Sequence, residues 1–412
     1  MFSNHDELIL RQLAKEVHEA SLHPVNEQKR RFWYDHTSLR GQRPAVFVHP
    51  DGSWNEFLPY SSLECEDPYA KTVEYVLKQR IFRHKYIHDD VPIEGTFHVQ
   101  KVIYNSMWGV APKFKAGDTA GGAWHHVPII EKPSDWKQLS MPKVEYDDAA
   151  SKERYEAVGN AIGDLLTLDL VGNQLYNFHM MHWYCDYRGL ENMYMDLVLE
   201  PEMVHEQIRF FTDGVISMFR QYEQLGLVSL NNDDTFHYTG GIGYNNELPG
   251  EGFDPAHVRL CDVWGAAEAQ EFSSVSPEMH EEFILQYERE VLELFGLNGY
   301  GCCDDLSKKL DGVLKIKNLR RVAVCPWADI AEFTPVLGKR YIMTWKPQPA
   351  YLAYEKLGVE EITKELNEGV AKAVGGKLEL VLRDTHTVRC EKERFDLWIS
   401  IAREAIERNW QD

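Results

Sequence analysis

Cysteine is scarce in this chain: seven in 412 residues, an odd and modest number. That excludes a small scaffold stapled by disulfides and favours reduced thiols in the cytoplasm. Long apolar runs are missing. None approaches the roughly 18–20 residues of a membrane span, so no membrane role is expected. The first residues, Met1 to Glu7, contain no basic region followed by an apolar stretch, and no signal peptide is expected. Cations are in deficit: 44 Lys and Arg stand against 65 Asp and Glu, a net charge of −21. A nucleic-acid partner is disfavoured, because phosphate binding needs clustered positive charge. Internal repeats, low-complexity segments and flexible linkers are also absent.

What is present is a globular pattern, 44% hydrophobic, in a chain long enough for one large α/β domain. The second half alternates short apolar runs with amphipathic helices. The runs are Leu227–Leu230, Val258–Val263, Leu297–Cys303, Arg321–Cys325, Arg340–Trp345 and Leu378–Arg383. A helix over Pro277–Phe295 is clear. Ser276 can cap it, Pro277 suits its first turn, and Met279, Phe283, Tyr287, Val291 and Leu294 share one face. Strand and helix in alternation imply a parallel sheet, either a (β/α)8 barrel or a doubly wound sheet. Ala45–His49 reads as a first strand after an N-terminal helical extension, residues 1–44. Residues 102–142 read as an insertion or lid. A helix is expected near Ala149–Leu168.

In such folds chemistry gathers where strands end and helices begin. Leu297 to Leu306 reads Leu-Asn-Gly-Tyr-Gly-Cys-Cys-Asp-Asp-Leu, two adjacent thiols at a strand end. Strand alternation would aim only one of Cys302 and Cys303 inward. Thiolate, imidazole and carboxylate are zinc's donors, and a catalytic zinc keeps one position open. Cys303, with Cys302 as a second thiol, could meet Glu271 and His386 from neighbouring strand ends. The plainer reading is that both cysteines pack as small hydrophobes. Cys325, before Pro326, is expected to pack.

His237 and Asp234 lie in a glycine-rich polar stretch, residues 231–243, placed as an active-site loop would be. It lacks the Lys-Ser/Thr of a phosphate loop. Substrate contact and proton transfer compete there with ordinary solvated carboxylates. His182, among Trp183, Tyr184 and Tyr187, suits the rim of a flat organic ligand, and so does Trp264. His179 and His182 read equally well as packed core histidines. Lys346 could hold a carboxylate or phenolate, or pair with Asp384. Arg383 with Asp384 reads as a structural ion pair. The His125-His126 pair reads as a surface loop.

Several of these stretches are similar to one family. Arg188-Gly189-Leu190-Glu191-Asn192, Asp196-Leu197, and Pro201-Glu202-Met203-Val204-His205 resemble segments of the uroporphyrinogen decarboxylase superfamily. So do Ser276-Pro277-Glu278-Met279 with Glu282, Phe283 and Tyr287. The likeness spans roughly residues 150–410. It implies a single-domain TIM barrel, and members that either decarboxylate porphyrinogens or use zinc to move methyl groups to corrinoid proteins, thiols or folate. The decarboxylase's paired arginines at the first strand are replaced here by Val48-His49-Pro50-Asp51-Gly52, which disfavours a polyanionic tetrapyrrole. Cys303 stands at the methyltransferases' metal-cysteine position, Gly301 replaces their first histidine, and His386 falls near their last metal cysteine. Trp264-Gly265 through Gln270-Glu271, Tyr300-Gly301-Cys302-Cys303 and Pro326-Trp327-Ala328-Asp329 are similar to a divergent branch of the superfamily.

The resemblance therefore implies a zinc-dependent methyltransferase that passes a methyl group from an O-methylated small molecule to a corrinoid protein. Cys303, Cys302, His386 and Glu271 would hold zinc. His237, Asp234 and Glu271 would act in catalysis. His182, Trp264, Lys346 and Asp384 would contact substrate. Trp108, Trp124, Trp183 and Trp345 lean the substrate toward an aromatic. Homodimers are common in the superfamily. A second expectation is a metal-free decarboxylase or lyase for a small carboxylic acid, held by Lys346 or Arg383. A third is a barrel without catalytic function.

Overall fold

The computed structural model describes residues 1–115, 125–237 and 239–410. Trp124, part of the expected lid, and Tyr238 lie outside the described residues. Among the described residues, no helix is long and apolar enough to cross a membrane.

The architecture is α/β. Seven strands form one parallel sheet in the order Ala45–Val48, Lys377–Leu382, Ile342–Trp345, Leu319–Val324, Leu297–Tyr300, Trp264–Ala267, Asn177–Phe178. Most are buried along their whole length, as expected of strands covered on both faces. A second parallel pair joins Thr96–Gln100 to Thr167–Val171. The arrangement is compatible with a TIM-like fold, but the hydrogen-bond ladder does not close among the described residues. At the edge strand Ala45–Val48 the reason is visible. The Asp90 carboxylate accepts from Val46 N and the Asp89 carboxylate accepts from Val48 N, both at 2.9 Å. Side chains occupy the place of a neighbouring strand.

Two expected strands are corrected. Val258–Val263 is not one. Asp262 accepts from both the backbone and the guanidinium of Arg259, closing a turn at Leu260–Asp262, and the strand begins at Trp264. Leu227–Leu230 makes a single parallel bridge, Asn173 to Val228. The Pro277–Phe295 helix starts at Pro277 with the Ser276 cap as expected, widens into a π-turn at Glu281–Leu285 and ends at Leu292. The N-terminal extension forms helices Asn4–Ser21 and Val25–Thr37. Within residues 102–142, Val102–Asn105 pairs with Val144–Asp147, and Lys113–Lys115 pairs with His125–Val127, both antiparallel.

The glycine-rich stretch 231–243 is the largest departure. It packs against one face of the sheet. Gly241 has φ +71, and a Cβ there would stand 2.8 Å from a Glu379 carboxylate oxygen; one on Gly240 (φ +143) would stand 2.1 Å from Thr344 Cγ2. Only glycine tolerates both that backbone and that approach. The loop covers a buried ion pair. Arg321 donates to Glu379 at 3.1 Å and to Ile242 O at 2.8 Å, and its guanidinium lies 4.8 Å from the Trp264 ring. Glu379 also accepts from Thr344 at 3.0 Å and faces His36 at 3.4 Å.

Candidate functional site

The residues that follow adjacent strands converge at one end of the sheet. After Tyr300 the chain turns at Gly301, with φ +87, and delivers Cys302 and Cys303 side by side. Their sulfurs are 3.5 Å apart and both thiols are free. The turn ends the strand, so alternation no longer separates the two side chains. Lys346, one residue past Ile342–Trp345, is buried; its ammonium lies 3.2 Å from both the carbonyl oxygen and the sulfur of Cys302. Glu268, one residue past Trp264–Ala267, is also buried. His179 Nδ1 sits 2.9 Å from its carboxylate, and His179 Nε2 lies 3.0 Å from the Asn177 side-chain nitrogen. Asp384, exposed and just beyond the Lys377–Leu382 strand, adds negative charge near Cys303.

The electrostatics divide the two thiols. The hydrogen bond from Cys302 and the positive charge of Lys346 hold the Cys303 thiol below its ordinary pKa, outweighing burial. The same hydrogen bond, with burial, pushes Cys302 up. Of the two thiols, Cys303 is the more readily ionised. Burial opposes charge on Glu268, but the His179 contact, Lys346 and the Cys302 thiol keep it below the usual carboxylate range. Behind the strand, Tyr300 donates to Glu288 at 2.6 Å and lies 3.0 Å from His280 Nε2; burial raises Glu288 to about 8.

Cys303 opens onto a depression of about 420 Å3 that it shares with Glu271, Leu190, Tyr194 and Trp327. Glu271 is tied to His182 Nδ1 at 2.9 Å, and Tyr194 donates to its main-chain oxygen at 2.7 Å. Asp186 lies 3.5 Å from His182 and 3.1 Å from His126 of the His125–Val127 strand. The Glu271 hydrogen bond raises the His182 pKa above its ordinary value, against burial. A raised histidine stabilises fully below its unfolded value, near pH 6.5, and that contribution is lost as pH rises through the folded value. His182→Gln is therefore expected to lower Tm more at pH 6 than at pH 8.5, read by thermal denaturation at both.

Other expected residues lie elsewhere. His237 is buried beside Trp264, ring centroids 4.8 Å apart, and burial with the charge of Arg321 drives it well below its ordinary pKa. Trp264 opens its own strand, is fully buried and donates to Gly243 O, and the glycine loop carries His237 inward against it, so neither reaches the rim. Asp234 lines a separate cavity of about 210 Å3 with His49, Arg80 and Glu94; burial and Asp233 push its carboxyl up to about 6. His386 is exposed on the loop beside Gly52. The set Cys303, Cys302, His386 and Glu271 is not assembled: among the described residues, no three of His, Cys, Asp and Glu stand ready to hold a metal ion. The donor types around Cys302 (two thiols, a carboxylate and an imidazole behind it) nevertheless suit zinc.

Glu268 is the residue that reading the sequence missed. Trp264, Ala266 and Glu268 are spaced two apart and so share one face of a strand, which was the available signal. Compared with protein-family models and with curated protein sequences, the chain matches none.

Proposed function

We propose that this protein is a methyltransferase that takes a methyl group from an O-methylated, aromatic small molecule and delivers it to a corrinoid protein. The observation that carries this reading is the meeting of Cys302, Cys303, Glu268 and Lys346 beyond three strands of the parallel sheet, two of them neighbours and the third one strand further on, beneath an open depression. Cys303, Cys302 and Glu268, which do not stand as a preformed metal site among the described residues, carry the donors a zinc ion would draw together, with His179 orienting the carboxylate. Zinc, when bound, supplies Lewis-acid stabilisation of negative charge on oxygen.

The rest falls to the chain's own groups. The C–O bond breaks and its electron pair stays on the departing oxygen, while the corrinoid partner provides the pair for the new bond to carbon. Lys346 places a fixed positive charge beside the thiols, and being buried it acts at low dielectric. His182, kept protonated more readily by Glu271, supplies the proton the oxygen takes up. Tyr194, Leu190 and Trp327 form the walls against which an aromatic substrate lies. The depression is open, as in-line approach of a partner requires.

The lyase reading is weaker because its acid-holding cations are engaged. Lys346 is buried against Cys302, and Arg383 lies 3.5 Å from Asp51 with its guanidinium 4.9 Å from the Phe236 ring. The deciding experiment assays the full chain with free Co(I) cobalamin and a panel of methoxyarenes, alongside elemental analysis. About one zinc per chain and zinc-dependent consumption of Co(I) are expected. Undiminished turnover after chelation, or carbon dioxide release from an acid panel without need of cobalamin, overturns the reading.

A further inference from the structure

A cavity of about 890 Å3, roughly twice the depression over the thiols, lies between the Val25–Thr37 helix, the end of the Pro68–Tyr86 helix and the Glu393–Asn409 helix. Its lining runs against the composition of the chain. Lys29, Arg43, Arg83 and Arg403 face two carboxylates, Asp90 and Asp396, and three histidines, His23, His84 and His88, join them.

Two of the lining groups are paired with acids: His88 lies 2.6 Å from Asp396, and Arg83 binds Asp89 at 2.7 Å, which leaves Lys29, His84, Arg43 and Arg403 to set the charge of the opening. Asp90 is buried beneath the floor, where it receives Arg43 twice at 2.8 Å, Arg403 at 3.3 Å and the amide of Val46. The side chains of Arg43 and Arg403 keep 40% and 43% of their surface exposed, so their outer edges remain free for another acceptor. Lys29 uses one hydrogen bond, to Val91 O at 3.0 Å, and an ammonium has three to give. His84 is exposed, and the partial burial of its ring, with His23, His88, Lys29 and Lys85 close by, lowers its pKa. Burial likewise lowers Lys29, more than Asp89 and Asp90 restore. Crowded like charges of this kind are costly without an anion between them. The same cleft offers the apolar surfaces of Val25 and Phe32, and its size is that of a small-molecule site.

We propose that this cleft binds a small phosphate-bearing molecule of nucleotide size. Its charged end lies among Lys29, His84 and Arg403, and its organic part rests on Val25 and Phe32. The site is separate from the thiols and does not depend on methyl transfer.

Titration calorimetry on the full chain at low salt tests it with three probes: pyrophosphate, ADP and adenosine. Pyrophosphate and ADP are expected to saturate the site and adenosine not to, because the phosphates carry the binding. Lys29→Gln/His84→Gln removes the Lys29 ammonium and the His84 ring as donors to the phosphate, and affinity should fall by at least about 10-fold. His84 is exposed and makes no hydrogen bond among the described residues, so His84→Gln alone should also weaken binding in a protein of unchanged Tm. The proposal is overturned if pyrophosphate fails to saturate by about 10 mM, if adenosine binds as well as ADP, or if the variants bind undiminished.

Discussion

Replacing Cys303 by serine is expected to lower methyl transfer by more than about 100-fold. Groups that merely orient a metal ligand cost 10–100-fold when removed, roughly, and a ligand itself costs more. Serine keeps the size of the side chain but not the acidity. The Cys303 thiol is lowered by the Cys302 hydrogen bond and the Lys346 charge, a benefit that a hydroxyl cannot use. Two further readouts separate this from loss of structure. Zinc content should fall with activity, and wild-type Cys303 should alkylate faster than the other cysteines while Tm of the variant stays unchanged. Lys346→Met should raise the pH at which Cys303 alkylates. If Cys303→Ser retains wild-type turnover and zinc, the two thiols are packing residues.

The second large effect concerns stability. Arg321→Met is expected to destabilise the fold by about 3–5 kcal/mol, the cost of leaving a buried charge without its partner. Arg321 and Glu379 are both fully buried, and the guanidinium is bound by Glu379 and Ile242 O and sits beside the Trp264 ring. Without it, Glu379 retains, among the described residues, Thr344 and His36. Replacing both members by apolar residues should recover much of the loss, measured by urea unfolding. In the native protein burial opposes charge on Glu379, and Arg321 more than restores it, holding the carboxyl below its ordinary value. A depressed acid stabilises above its unfolded pKa, near 4.5. The wild-type advantage should therefore fade as pH falls through the lower folded value.

These two sites differ in how far the sequence revealed them. The thiol pair was legible because Tyr-Gly-Cys-Cys ends an apolar run, and because Lys346 and Asp384 follow runs of the same kind. Glu268 was hidden by its neighbour Glu271, three residues on, which turns toward His182. The loop carrying His237 looked like a solvated rim because glycines and polar residues usually mark one. Here the glycines serve close approach: Gly240 and Gly241 let backbone press against Thr344 and Glu379, and His237 goes inward with them. Local composition does not distinguish a glycine needed for a turn from one needed for contact. The false strand at Val258–Val263 has a similar origin. Its apolar period is real, but the Arg259–Asp262 interaction closes the turn first.

The carboxylates lying along Ala45–Val48 give the sheet a property beyond shape. An exposed edge strand offers unpaired amides to any passing chain and so invites polymerisation. Val46 and Val48 have already given theirs to Asp90 and Asp89. Arg43, Arg83 and Arg403 hold those acids in place. The protein can thus leave its ladder open without becoming a template for its own aggregation.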